Sequence, residues 1–161
     1  MQGGTEMQFT IVTVGKCRTA YVRDGVEIYL KRLRHYCKVD VKTVKEASLQ
    51  KNTSLSNALG QEADRICKML PAKTTLFALD RSGDPMDSLS LADEVGRRRM
   101  AGGSFTWIVG SAFGLHRRIL ALSDRIISLS QLTFPHELSL LILTEQLYRI
   151  NTILKGEQYH K

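Results

Sequence analysis

The chain alternates between two kinds of hydrophobic pattern along most of its 161 residues. Apolar or β-branched runs predict strands over residues 8–14, 39–45, 74–80, 104–110 and 125–130. Apolar residues at three- and four-residue spacing predict helices over residues 19–36, 54–70, 88–100, 115–123 and 135–154. Regular alternation of this kind predicts an α/β fold, with a mostly parallel sheet and helices on both faces.

The junction before the last predicted helix is unusual. Pro135 and His136 stand between a short strand and a helix that is apolar on nearly all sides. Proline fits the first turn of a helix, where its missing N–H costs nothing. Taken alone, a histidine in that turn is more often a capping or packing residue than a catalytic one.

Length and composition indicate a single domain. A chain of this size can bury one core, and it contains neither an internal repeat nor a linker. We predict a loose extension over residues 1–6 and one domain over residues 7–161. The first residues lack the pattern of a signal peptide, and the longest apolar run is too short to span a bilayer.

The three cysteines, Cys17, Cys37 and Cys67, are widely spaced and form no CxxC pair. This pattern predicts neither a zinc site nor a disulfide framework, and no other metal-binding cluster is apparent. Three free thiols are typical of a reducing compartment, so a cytoplasmic location is expected.

Positive charge is concentrated in one part of the chain. The net charge is +7, and residues 16–45 contain nine Lys or Arg against three Asp or Glu. Such a basic stretch favours a polyanionic partner, most often a nucleic acid. A solvated, lysine-rich helix face is the alternative, and composition leaves it open.

The loops after the later strands are the candidate binding segments, because ligands of parallel sheets bind beyond the carboxyl ends of strands. Asp80 ends the third strand and could hold a ribose or a cation, or simply cap a turn. In "GSAFGL", Gly110 and Gly114 permit a tight turn and close approach of a ligand to the backbone. This loop is neither a P-loop nor GxGxxG, so a plain strand-to-helix turn remains possible.

Polar residues in the last helix and the tail form a second candidate group. Glu145 and Arg149 have the i, i+4 spacing that lets them pair on one helix face. Tyr159 and His160 lie at the extreme C-terminus, where composition predicts a frayed tail. An aromatic ring beside an imidazole could also stack on a base and exchange a proton.

Several of these segments together resemble one family. "VTVGK", "LD", "VGSAFGL", "LSQLTFPH", "EQLYR" and the terminal "GEQYHK" occur in this order in the RlmH (YbeA-like) family of SPOUT-class methyltransferases. The resemblance runs from Met7 to Lys161. The family methylates N3 of a pseudouridine in large-subunit (23S) ribosomal RNA, using S-adenosyl-L-methionine and no metal.

The resemblance implies a SPOUT-type α/β knot, in which the C-terminal segment threads through a loop to form a trefoil knot. It also implies a homodimer, with the last helix packed between its own sheet and a second subunit. The cofactor-binding residues implied are Leu79, Gly110, Leu129, Ser130, Gln131, Leu132, Thr133 and Phe134.

The catalytic residues implied by the family are His136, Arg149, Tyr159 and His160. The tail would reach the partner subunit's cofactor pocket, and His160 or a water would accept the N3 proton. The basic stretch over residues 16–45, with Arg97, Arg98 and Arg99, would contact RNA phosphates on the ribosome.

Two departures from the family pattern keep other functions open. Ser111 replaces the second of two adjacent glycines, and Leu140 replaces an arginine that we expect near the site. These departures motivate an alternative: a SPOUT-fold protein that binds RNA or the ribosome with weak or lost activity. Further alternatives are a methyltransferase acting on another RNA, and a small nucleotide-binding α/β protein with no affinity for S-adenosylmethionine.

Overall fold

The computed structural model describes residues 6–161. Its strands are β1 (Gln8–Val14), β2 (Lys38–Val44), β3 (Thr75–Pro85), β4 (Ser104–Val109) and β5 (Arg125–Ser128). Its helices are α1 (Ala20–Leu33), α2 (Leu55–Met69), α3 (Ser88–Arg99), α4 (Arg117–Leu122) and α5 (His136–Leu154). The alternating order confirms the sequence prediction. Most ends agree closely, but β3 runs on to Pro85 instead of stopping at Asp80.

The predicted N-terminal extension lies outside the described residues except for Glu6. The Glu6 carboxylate Oε2 is 2.9 Å from the Lys38 ammonium. Met7 is already buried in the core, and its carbonyl accepts a hydrogen bond from the Lys38 amide at 3.2 Å. Packing of the described chain therefore begins at Met7.

All five strands lie in one parallel sheet with the order β2-β1-β4-β3-β5. The carboxyl ends of β4, β3 and β5 consequently meet at one edge of the sheet. β1 and β4 are central, and nearly every residue of both is buried. Burial on two faces explains why β4 reads as a continuous apolar run in the sequence.

The sheet separates two hydrophobic layers. α1, α3 and α5 cover one face, where the Phe77 ring stacks on Trp107 with centroids 4.3 Å apart. α2 and α4 cover the other face through small and branched residues such as Ala63, Ile66 and Ile119. Both faces are thus covered, and this confirms the predicted α/β class.

α5 lies between α1 and α3, above the sheet. Its innermost side chains, Leu140, Leu143, Leu147 and Ile150, are buried. Much of the helix's apolar surface is therefore covered within one chain. Leu140 itself belongs to the core, and the expected loss of a cation near the site stays a prediction.

The starts of two helices are defined by the residues just before them. Asp87 caps α3, and its Oδ1 accepts a hydrogen bond from the Ser90 amide at 2.7 Å. Pro135 has extended geometry and precedes α5 as its N-cap, so His136 is the first helical residue. The histidine side chain is thereby held at the helix start, next to the loop that follows β5.

The end of β3 lies against β5 in an irregular way. Leu79 and Asp84 both pair with Ile127, so residues 80–83 bulge out between them. A Cβ built on Gly83 would stand 2.6 Å from the Ile126 carbonyl carbon and from the Ile127 amide nitrogen. Only glycine fits this contact without moving one of the two backbones. The trefoil knot implied by the resemblance stays a prediction.

We expect Gly83→Ala to destabilise the protein by about 1–3 kcal/mol, as overpacking against an immobile neighbour does. Urea denaturation monitored by circular dichroism measures this change. Gly60→Ala is the matched control, because nothing lies within 4 Å of a Cβ at that position in α2. Alanine there should stabilise by up to about 1 kcal/mol through helix propensity. Equal stabilities of the two variants would contradict the close contact.

Candidate functional site

A cavity of about 670 Å³ opens at the carboxyl ends of β3, β4 and β5. It is formed by the loops that follow these three strands and by the start of α5. Such a position is expected for a ligand site in a parallel sheet, and the volume suits a small molecule. Seven of the eight predicted cofactor-binding residues line it: Leu79, Gly110, Leu129, Ser130, Leu132, Thr133 and Phe134. The eighth, Gln131, belongs to the same loop but is exposed and outside the lining.

The loop after β4 folds back on itself at the cavity wall. The Gly114 amide donates to the Ser111 carbonyl at 2.9 Å, and Gly114 has a φ of +87°. A Cβ on Gly110 would lie 2.5 Å from the Gly114 carbonyl oxygen, so this position requires glycine. The two glycines are therefore required by the tight turn itself, as the plain-turn alternative expects, and the approach of a ligand to this backbone stays a prediction.

Ser111 is accommodated where the resemblance leads us to expect glycine. No non-glycine residue in the described chain has a positive φ, so the serine backbone is unstrained. Its side chain is buried, and its Oγ has no hydrogen-bond partner among residues 6–161. A buried hydroxyl without a partner at a cavity wall is available to a bound ligand.

The loop from β5 to α5, most of which lines the cavity, contains backbone amides without a hydrogen-bond partner among residues 6–161. Ser130 organises the loop: its carbonyl accepts from Ser128 Oγ and its Oγ accepts from the Leu132 amide, both at 3.0 Å. Among residues 6–161, the amides of Gln131, Thr133 and Phe134 make no hydrogen bond. Backbone donors of this kind need water or a ligand as a partner.

Glu137 fastens the start of α5 to the loop after β1. Its carboxylate accepts hydrogen bonds from the amides of Arg18 and Thr19, both at 3.0 Å, and from Cys17 Sγ at 3.5 Å. These bonds, the Arg18 amide first, lower the pKa of Glu137 from 4.5 to about 2. Burial and then the Glu137 carboxylate raise the pKa of the Cys17 thiol, so the thiol stays protonated.

Glu137 was not among the residues predicted from the sequence. An acidic residue in the first turn of a helix does indicate a favourable interaction with the helix start. The contacts of Glu137, about 120 residues away in the sequence, are visible only in the fold. The neighbouring His136 lines the cavity, and its Nε2 lies 3.9 Å from where a Cβ would stand on Gly15. Glu137 therefore fixes the backbone that carries His136.

The other predicted catalytic residues form a separate cluster at the far end of α5. Arg149 Nε donates to Glu145 at 3.1 Å, which confirms the predicted pair. Tyr159 Oη donates to the same carboxylate at 3.1 Å, and Arg149 Nη1 lies 3.3 Å from His160 Nδ1. The composition-based prediction of a frayed tail is wrong, because these side chains fold it back on α5.

One chain does not bring the four predicted catalytic residues together. His136 lines the cavity, whereas Arg149, Tyr159 and His160 do not. Arg149 lies thirteen helical positions after His136, which corresponds to about 20 Å along the axis. A site that uses all four needs a second copy of the chain.

The basic residues are mostly on the surface. Lys16, Arg18, Lys31 and Arg34 are exposed and form no ion pair within residues 6–161. Arg97 and Arg98 instead pair with the Glu94 carboxylate, at 3.0 and 2.7 Å. Arg97 and Arg98 are therefore partly engaged by Glu94, whereas Arg99 is exposed and forms no ion pair among residues 6–161; phosphate contact by the three arginines stays a prediction.

The comparisons with known proteins agree with this geometry. The family model described as "Predicted SPOUT methyltransferase" matches residues 7–160. Proteins named ribosomal RNA large subunit methyltransferase H, from Acetivibrio thermocellus and Halothermothrix orenii, are each 38% identical over 159 residues. Each alignment covers 96% of this chain and all of the relative. The chain belongs to the SPOUT methyltransferase family.

Solved structures support the fold alone. A probable methyltransferase from Bordetella pertussis Tohama I superposes with a TM-score of 0.56 at 14% identity, covering 93% of this chain and 96% of that one. A probable methylase family protein from Haemophilus influenzae Rd KW20 gives 0.52 at 10% identity, covering 96% of this chain and 70% of that one. Within the described residues, no helix is long and apolar enough to cross a membrane. The same residues hold no group of three or more His, Cys, Asp or Glu side chains placed to bind a metal ion.

We expect the hydrogen bonds from the Arg18 and Thr19 amides to Glu137 to make the stability of the protein depend on pH. The pKa of Glu137 is lowered on folding, so its contribution is complete above about pH 4.5 and is lost as the pH falls toward about 2. The free energy of unfolding of the wild type should therefore fall more steeply below pH 5 than that of Glu137→Gln. Urea denaturation at several pH values measures both slopes. Glu27→Gln is the control, because Glu27 is an exposed carboxylate on α1. If the free energy of unfolding changes with pH in the same way in all three proteins, the hydrogen bonds of Glu137 do not contribute as expected.

Proposed function

We propose that the protein transfers a methyl group from S-adenosyl-L-methionine to N3 of a pseudouridine in large-subunit ribosomal RNA. The observation that carries the proposal is the cavity at the strand ends, in a chain that aligns over its whole length with rRNA large subunit methyltransferases H. The basic stretch at residues 16–45 supports an RNA substrate, because exposed cations bind phosphates. Such a substrate places the protein with ribosomes in the cytoplasm.

The residues of the cavity fit this cofactor. Free amides between Gln131 and Phe134 can pair with the polar edge of an adenine ring, and Leu79, Leu129 and Leu132 offer apolar surface to its faces. Gly110 permits the tight turn that shapes this wall of the cavity, and Ser111 Oγ is available as one more polar partner. The bound cofactor supplies an activated methyl on a sulfonium, so the transfer needs no metal.

The protein's own part in the reaction is alignment and proton removal. The rigid loops hold the donor, and the acceptor N3 must lie in line with the methyl group, away from water. N3 also has to lose a proton, which the His160 imidazole or a water accepts. Arg149 and Tyr159 hold His160 through the contacts at the end of α5.

The proposed active site is composite. His136 and the cavity come from one subunit, and Arg149, Tyr159 and His160 come from a second subunit of a homodimer. Support comes from the separation of about 20 Å between these groups within one chain. The half-buried outer side of α5, which includes Leu138 and Ile142, is a suitable surface for the partner subunit. The trefoil knot belongs to the same proposal, and the contact of residues 80–83 with β5 supports it.

The alternative, an RNA-binding homologue with weak activity, rested on Ser111 and Leu140. Ser111 is unstrained, and Leu140 is a core residue. An arginine at position 140 would have to bury its charge in this packing, which is costly. Neither departure therefore favours lost activity, and methyl transfer is the better supported function.

Labelled S-adenosylmethionine, incubated with the protein and ribosomes that lack the modification, tests the function directly. We expect label on N3 of a single pseudouridine of the large-subunit RNA, mapped by nuclease digestion and mass spectrometry. Label on a different nucleotide would assign another RNA substrate. Cofactor binding without transfer would favour the RNA-binding alternative, and absence of cofactor binding would favour an unrelated nucleotide-binding protein.

Subunit complementation tests the composite site. Thr133→Trp should block the cavity from its exposed rim, and His160→Ala removes the tail imidazole. Each variant alone should be nearly inactive. After co-refolding at equal amounts, half of the dimers are mixed and each has one intact site, so about a quarter of the wild-type activity should return. Activity that stays at the level of the single variants would show that each site is built within one chain.

A further inference from the structure

The C-terminal tail is ordered although it has little backbone support. The Gly156 amide donates to Ile153 O at 3.0 Å, and the Glu157 amide donates to Thr152 O at 2.9 Å. Beyond Glu157, the described chain contains no backbone hydrogen bond for residues 158–161. Side-chain contacts therefore hold the part of the tail that carries Tyr159 and His160.

These side-chain contacts come from two directions. From α5, Tyr148 meets the Tyr159 ring edge-on with centroids 4.8 Å apart, and the Arg149 guanidinium lies 4.7 Å from the centre of that ring. From the turn after α1, Tyr36 Oη donates to Glu157 Oε2 at 2.6 Å. The Lys155 ammonium also lies 4.7 Å from the centre of the Tyr36 ring.

Tyr36 lies where the tail leaves α5. α5 ends at Leu154, and Gly156, with a φ of +69°, turns the chain back. Glu157 is the next residue, so its bond to Tyr36 sets the direction of the residues that follow. A hydrogen bond from a hydroxyl to a carboxylate is stronger than one between neutral groups. The carboxylate of Glu157 also raises the pKa of Tyr36 to about 12, so the phenol stays protonated as the donor.

We propose that Tyr36 is a positioning residue for methyl transfer: with Glu157 it fixes the start of the terminal tail and thereby the placement of Tyr159 and His160. The inference rests on the proposed function, because the tail is useful only if His160 takes part in the reaction. Tyr36 touches neither substrate nor cofactor in this role. It acts through the tail, about 120 residues away in sequence.

Three variants and one control test the proposal. Tyr36→Phe removes only the hydroxyl, Glu157→Ala removes the acceptor, and the double variant removes both. Gln158→Ala is the matched control, since Gln158 is an exposed polar residue of the same tail with no hydrogen bond among residues 6–161. The proteins should unfold at the same temperature as the wild type, because these side chains lie outside both core clusters.

Methyl transfer to ribosomes should slow in the variants without a change in cofactor binding. We expect kcat to fall about 3- to 10-fold in each single variant, the effect of losing about one hydrogen bond. The double variant should be no slower than the slower single variant, because the two groups act through one bond. The dissociation constant for S-adenosylmethionine, measured by calorimetry, should stay unchanged, as should the activity of Gln158→Ala.

The order of the tail gives a readout that does not depend on activity. Backbone NMR order parameters of residues 158–160 should fall below about 0.6 in both single variants and stay high in Gln158→Ala. Multiplicative losses of kcat in the double variant, or an ordered tail in Tyr36→Phe, would overturn the proposal. If the wild type transfers no methyl group, the proposed function fails by itself, and the role of Tyr36 in catalysis fails with it. The order parameters then still decide whether Tyr36 holds the tail.

Discussion

Parallel pairing of β3 with both β4 and β5 is the constraint on which the rest of the site depends. It places three successive loops at one edge of the sheet, although residues 75 and 128 are far apart along the chain. The pairing tolerates a bulge of residues 80–83 only because Gly83 lets the chain lie against the β5 backbone. This contact brings the end of β3, which carries the cavity residues Asp80 and Arg81, against β5.

α5 connects the two halves of the proposed site. Its first residue, His136, is at the cavity, and Glu137 ties this end to the loop after β1. At its other end, Glu145 and Arg149 hold Tyr159 and His160. Because the helix is rigid and packed between α1 and α3, the two ends cannot approach each other within one chain. The proposed composite site, which uses both ends, therefore needs a second copy of the chain.

Some charged side chains of the protein pair with one another, whereas others are exposed and free to contact RNA. Glu94 is buried, and its carboxylate is shared by Arg97 and Arg98. Four cations around α1, Lys16, Arg18, Lys31 and Arg34, are exposed and form no ion pair among residues 6–161, as expected for phosphate contacts. Ser111 and the free amides near Phe134 are uncharged polar groups at the cavity, where a neutral heterocycle can use them.

The sequence alone determined the order of the ten elements, the α/β class and the three loops at the cavity, because hydrophobic periodicity and strand polarity are local properties. Its motifs also indicated the family, which the comparisons confirmed. Tertiary structure decided what depends on distant partners. Leu140 became a core residue because the inner side of α5 packs into the core, and the tail became ordered because Tyr36 and Glu145 are near it. Glu137 gained its role from two amides about 120 residues away. Such contacts form between residues that are distant in the sequence, and local sequence patterns do not reveal which distant residues will meet.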